Sequence, residues 1–165
     1  MRKGFAGIGV ALALAALPGT AAATHSNGAG PKMDLIQGSG RGHIPVGPQI
    51  LEDQGHINAH SDGLFAEGKF WIRFGGAELR GSVECLTVVG RDARWSGPIE
   101  ESSDPRFPAG AWVYGRDIDN GEGRNAPPDE HGGVVDFPPP QGTCDTRELP
   151  TLPLTQGNLV AHDGA

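Results

Sequence analysis

Apolar and polar residues alternate with a period of two along much of this chain. Phe70, Ile72 and Phe74 are interleaved with Lys69, Trp71 and Arg73, and Ile44, Val46, Ile50, Leu51 and Ile57 precede them. Successive side chains of a strand point to opposite faces, so the pattern predicts strands with one face buried. The clearest run is Glu78 to Val89. There Leu79, Gly81, Val83, Cys85, Thr87 and Val89 share one face, while Glu78, Arg80, Ser82 and Glu84 share the other. The outer face turns apolar at Leu86 and Val88, which predicts cover on both sides at that end. Gly90 and Arg91 supply a Gly-X hairpin turn, and Ala93, Trp95, Gly97 and Ile99 resume the alternation.

Further along, Trp112, Tyr114, Arg116 and Ile118 alternate with Ala111, Val113, Gly115 and Asp117 in another strand. Val134 to Phe137 reads as a short strand, and Asn158 to His162 as a closing strand to which the LPLTQ string (Leu152 to Gln156) leads in. Glu100 to Pro108 and Asp119 to Gly133, polar and rich in Gly or Pro, read as loops. Helical periodicity is missing after the N-terminal segment. The expected fold is therefore all-β: an antiparallel β-sandwich or small β-barrel built from hairpins, with a flexible N-terminal arm.

The N-terminus has its own logic. Met1, Arg2 and Lys3 form a basic start, Ile8 to Leu17 is an apolar run too short to span a bilayer, and Pro18, Gly19, Ala21, Ala22 and Ala23 follow. These are the three parts of a secretory signal peptide, with cleavage expected after Ala23. The expected organisation is a signal peptide over 1–23, a flexible arm over 24–42 and one all-β domain over 43–165. The arm is assigned because Thr24 to Gly42 is mostly Gly, Ser, Asn, Ala and Lys, with too little apolar surface to offset the entropy of ordering a backbone. The mature chain is expected to be secreted and not membrane-anchored.

Composition narrows the function classes. With 27 Gly and 14 Pro in 165 residues, a coiled coil or long helical bundle is excluded. A formal net charge of −7, falling to −9 once Arg2 and Lys3 are removed, argues against a nucleic-acid partner, which needs clustered Lys and Arg.

Candidate chemistry is sparse. Cys85 and Cys144 are the only cysteines, and in an oxidising compartment an even count predicts a structural disulfide. His56 and His60 have i, i+4 spacing, but on a strand they stand about 13 Å apart, too far for one metal, and the six histidines are read as surface and loop residues. Asp117 to Glu130 is rich in oxygen donors, yet the sixth and twelfth positions counted from Asp117 hold Glu122 and Pro128, so the EF-hand pattern fails and a solvated acidic turn is expected. Gly38 to Gly42 (GSGRG) lacks the Lys and Ser/Thr of a phosphate loop and reads as a linker. His60, Ser61 and Asp62 are neighbours in sequence, whereas a triad converges from separate segments. Trp71 is the one large ring placed outward, between Lys69 and Arg73, where it could stack on a sugar unless a loop covers it.

Four stretches together, GSVECLTVVG (Gly81 to Gly90), DNGEG (Asp119 to Gly123), the Pro-rich stretch with Cys144, and GNLVAHDG (Gly157 to Gly164), resemble a group of small secreted bacterial proteins commonest in actinobacteria. INAHS (Ile57 to Ser61) matches their early strand, so the likeness spans about residues 53 to 164. It implies one β-sandwich or barrel domain with Cys85 and Cys144 paired. It brings no established catalytic residues. RNAPP (Arg124 to Pro128) departs from the Gly/Pro-rich link of the group and weakens a ligand reading of that loop.

The leading expectation is a secreted, non-catalytic domain, structural or binding, with no cofactor and with Trp71 as the ligand-contact candidate for a carbohydrate or cell-wall partner. The second is a small secreted enzyme acting on a carbohydrate or cell-envelope substrate, with Glu84, Asp117 and Asp119 as its only candidate acids. The third is a calcium-stabilised extracellular domain.

Overall fold

A computed structural model of the chain describes residues 33–123, 125–136 and 148–164. Among them lie ten strands and no helix: β1 (Asp34–Val46), β2 (Gln49–Ser61), β3 (Ala66–Phe74), β4 (Ala77–Ser82), β5 (Cys85–Val89), β6 (Asp92–Ser102), β7 (Trp112–Ile118), β8 (Glu130–Asp136), β9 (Leu152–Pro153) and β10 (Gln156–His162). All pairings are antiparallel, in the order β10-β1-β2-β3-β4-β6-β7-β8-β9, with β5 also on β6. The fold is all-β, as the alternation predicts.

The run from Glu78 to Val89 is two strands, not one. Leu79, Gly81 and Val83 face the core, but beyond Glu84 the buried positions become Leu86 and Val88, while Thr87 and Val89 face solvent. The switch of parity explains the apolar pair on the expected outer face: Leu86 and Val88 are core residues, and the opposite side of β5 is wet. β6 serves both halves, pairing with β5 through Asp92 to Ser96 and with β4 through Ile99 to Ser102. The sheet folds over on itself at this junction, and Ile36, Ile57, Phe70, Leu79, Leu86, Trp95 and Val113 meet in the interior. The Phe70 and Trp95 rings stand 5.3 Å apart at its centre.

The expected arm does not extend to residue 42. Residues 34–42 belong to β1, which pairs with β2 on one side and β10 on the other, and the domain begins at Asp34 rather than residue 43. Ile36 is fully buried. The glycines of GSGRG serve close approach. A Cβ on Gly38 would collide with the Asn158 carbonyl of β10, and one on Gly40 would occupy the place of the Leu154 side chain. Residues 24–32, the signal segment and Cys144 lie outside the described residues.

The rolled sheet is not a closed barrel. Among the described residues its two ends, β10 and β8–β9, come together without a backbone ladder, which leaves strand-edge amides that need acceptors. Carboxylates supply them. Asp129 accepts from Leu159 N at 2.6 Å and Asn120 N at 2.8 Å, and Asp119 accepts from Ala161 N at 3.1 Å and Gly121 N at 2.7 Å. The acidic loop is thus no solvated turn: Asp129 is buried, and each side chain joins a β10 amide to an amide of the loop itself. Asp34 does the same across the adjoining end, accepting from Val88 N and Gly164 N at 2.9 Å each.

Candidate functional site

Opposed residues of neighbouring antiparallel strands share a face, and the register places Ala93, Asp117 and His131 in one row across β6, β7 and β8. The next row holds Trp95 opposite Gly115. Because Gly115 has no side chain, the Trp95 indole lies across it, where any Cβ would meet the ring. The ring is thereby aimed along the interior, and its Nε1–H donates to Asp117 Oδ2 at 2.6 Å.

Asp117 Oδ1 lies 2.6 Å from His131 Nδ1, and the other ring nitrogen, Nε2, lies 3.3 Å from Asp53 Oδ2 on β2. β2 belongs to the opposite wall of the roll, where the alternation Asp53, Gly55, Ile57, Ala59 faces inward and the imidazole edge passes over Gly55. The result is an interior chain, Trp95–Asp117–His131–Asp53, that ties the two halves of the sheet together. Asp117 is fully buried and Asp53 is 4% exposed.

Burial penalises an imidazolium, but the Asp117 carboxylate, reinforced by its hydrogen bond and by Asp53, more than reverses this and pushes the His131 pKa up to about 9. At neutral pH both ring nitrogens therefore carry protons. The Asp53 pKa is raised from its ordinary value, chiefly by burial and further by the Asp117 charge, against the opposing pull of His131.

Asp53 and His131 are the polar wall of a cavity of about 310 Å³. Leu79, Trp95 and Val113 line its buried part, while half-buried Ile44, Ile72, Phe74, Phe107, Val134 and Val135 carry it to the surface. This opening lies at the end of the roll that holds the β1–β2 and β3–β4 turns and the β6–β7 loop. The carboxylate-stapled loop from Asp119 lies at the other end. The arrangement can hold a small apolar body with a polar group turned toward Asp53.

The residues singled out in the sequence fall in different places. Trp71 points outward on β3, half-buried, with the Arg73 guanidinium 5.4 Å over its ring. Glu78, held down to a pKa of about 2 by hydrogen bonds from Trp71, Arg80 and Arg73, completes a surface cluster with it. Cys85 is half-buried on β5 and is not a free thiol. Of the three candidate acids, Glu84 is exposed, Asp119 is engaged by two amides and only Asp117 reaches the interior. His56 and His60 lie on the outer side of β2. Among the described residues, no three His, Cys, Asp or Glu side chains are grouped to hold a metal ion.

Sequence reasoning missed Asp53 and His131. The signal for Asp53 was its parity with Ile57, and for Asp117 its parity with Val113; each is an acid written into a core column. His131 carried no such mark, since β8 begins at Glu130, four residues before the strand expected there. It is a core histidine, and the reading of all six as surface residues is corrected at this position. Comparison with protein-family models, with curated proteins and with solved structures finds no match for the chain.

Proposed function

We propose that the protein is an exported, non-catalytic binding domain that takes up one small, largely apolar molecule in the cavity beside Asp53 and His131. The observation that carries this reading is the composition of the cavity wall, apolar throughout except for two polar groups on one side, buried Asp53 and half-buried His131. A cavity of about 310 Å³ lies at the small end of the range for ligand sites, and its few convergent polar groups would set orientation. Export is supported by the tripartite N-terminus, and pairing of Cys85 with Cys144 by the cysteine count and by Cys85 not being free. The disulfide would tether the segment that follows β8 to β5.

The test is binding of N-phenyl-naphthylamine, a neutral apolar dye whose fluorescence rises when it leaves water. Saturable binding is expected, and Val135→Trp, which fills the opening at a half-buried position, should abolish it while the thermal transition is kept. Dye binding that is unaffected by Val135→Trp, or no binding by the native protein, would remove the cavity as the site.

A further inference from the structure

The charges in the interior chain do not balance, and the imbalance lies on the cavity side. Asp117 is fully committed: Trp95 Nε1 and His131 Nδ1 donate to its two oxygens, both at 2.6 Å. That pairing accounts for the charge of the imidazolium. Asp53 is left with a 3.3 Å contact to the far nitrogen of the same ring and a hydrogen bond from the Gln54 backbone amide, which carries no charge. The titratable groups facing Asp53 are His131 on β8 and Asp117 on β7, one cation for two carboxylates. An ionised Asp53 therefore adds a negative charge that nothing in the apolar wall offsets, and burial makes an unbalanced charge costly. Two things relieve it, a proton or an external cation.

The rest of the wall says what kind of cation fits. Ile72, Phe74, Leu79, Phe107 and Val113 offer no acceptors for the water shell of a hydrated metal ion, and a wall that includes Trp95 and two Phe residues suits an organic body. We infer that the ligand of this cavity is a small organic amine, an ammonium group on an apolar or aromatic body, with Asp53 as its counter-ion. The inference rests on the cavity being the binding site, as proposed above, and adds the class of ligand. His131 and Asp117 act here as positioning residues: they hold Asp53 against the wall without neutralising the whole cluster.

The experiment displaces bound N-phenyl-naphthylamine with three compounds of one shape, naphthylmethylamine, naphthylmethanol and naphthoate, at neutral pH. The amine should bind at least about tenfold more tightly than the alcohol, and the carboxylate most weakly, since tenfold is what a modest charge-assisted contact supplies. D53N keeps the shape and removes the charge. In that variant the dye should still bind and the amine should lose its advantage over the alcohol. Should D53N fail to fold, the order of the three compounds on the native protein decides alone. Equal binding of amine and alcohol, or preference for the carboxylate, with the dye still bound, overturns the amine inference and leaves the cavity reading standing. Failure of the dye to bind overturns both.

Discussion

His131 Nδ1 lies 2.6 Å from Asp117 Oδ1, and the two residues stand directly opposite each other on β8 and β7. A short contact between a fully buried carboxylate and an imidazolium makes each dependent on the other. Removing one partner of such a pair leaves the second buried and uncompensated. Asp117→Asn should therefore cost about 3–5 kcal/mol of stability. Trp95→Phe, which removes the N–H donor to Asp117 and part of the buried indole's volume but keeps a six-membered ring in the core, should cost less, about 1–3 kcal/mol. Urea denaturation of the two variants checks the order. Equal and small effects would show that the interior chain contributes little to folding.

The same contact gives stability a pH dependence of definite sign. The folded-state pKa of His131 is raised from 6.5 to about 9, so the pair's contribution is complete below pH 6.5 and is lost as pH rises through about 9. Asp53 is also raised, from 3.8, and works in the same direction at lower pH: its contribution is complete below that value and declines as pH climbs through its folded-state pKa. Urea midpoints measured across this alkaline window should fall for the native protein and stay nearly level for His131→Gln. A native midpoint that rises there would contradict the assignment.

Gly38 distinguishes a paired strand from a linker. In a flexible arm Gly38→Ala would be silent or slightly stabilising, because it lowers the entropy of the unfolded chain. In β1 the added methyl would run into the backbone of β10, at a positive φ of 151°. The expected loss is about 1–3 kcal/mol, as for overpacking elsewhere. Thermal melts of the two proteins settle the matter, and an unchanged Tm would free residues 34–42 from the sheet.

The seam is the remaining structural prediction. Asp129→Ala removes the acceptor of the Leu159 and Asn120 amides, and a buried donor left without a partner costs about 1–3 kcal/mol. Hydrogen exchange should quicken at Leu159 and its β10 neighbours before it does in β6. Calcium should leave the Tm of the native protein unchanged, because all four oxygens of Asp119 and Asp129 already accept amides. A rise of several degrees on adding calcium would reinstate the acidic loop as a metal site.

Alternation alone was enough to read the all-β fold, the hairpin at Gly90 and the core roles of Phe70, Leu79, Val83, Trp95 and Ile99. That information is local. A period of two records which face of a strand is dry, whatever the strand pairs with. The sequence could not show that Leu86 and Val88 lie inside while Val89 lies outside, because the change of parity after Glu84 depends on how β6 divides its two ends between β4 and β5.

The same limit governed the N-terminal glycines. Low hydrophobicity describes both a chain that cannot order itself and one whose backbone is packed too tightly for side chains, and only the approach of Asn158 and Leu154 separates the two. The candidate site was less legible still. Asp53, Trp95, Asp117 and His131 come from four strands and span 79 positions of the chain. Parity marks the two acids as inward, yet the imidazole that joins them arrives only when the sheet rolls over and brings β8 against β2. Sequence determined the alternation, the charge and the cysteine count, which are sums over neighbours. Tertiary structure decided the cavity and the unbalanced charge at its wall, because electrostatic pairing depends on distances across the interior that no local pattern encodes.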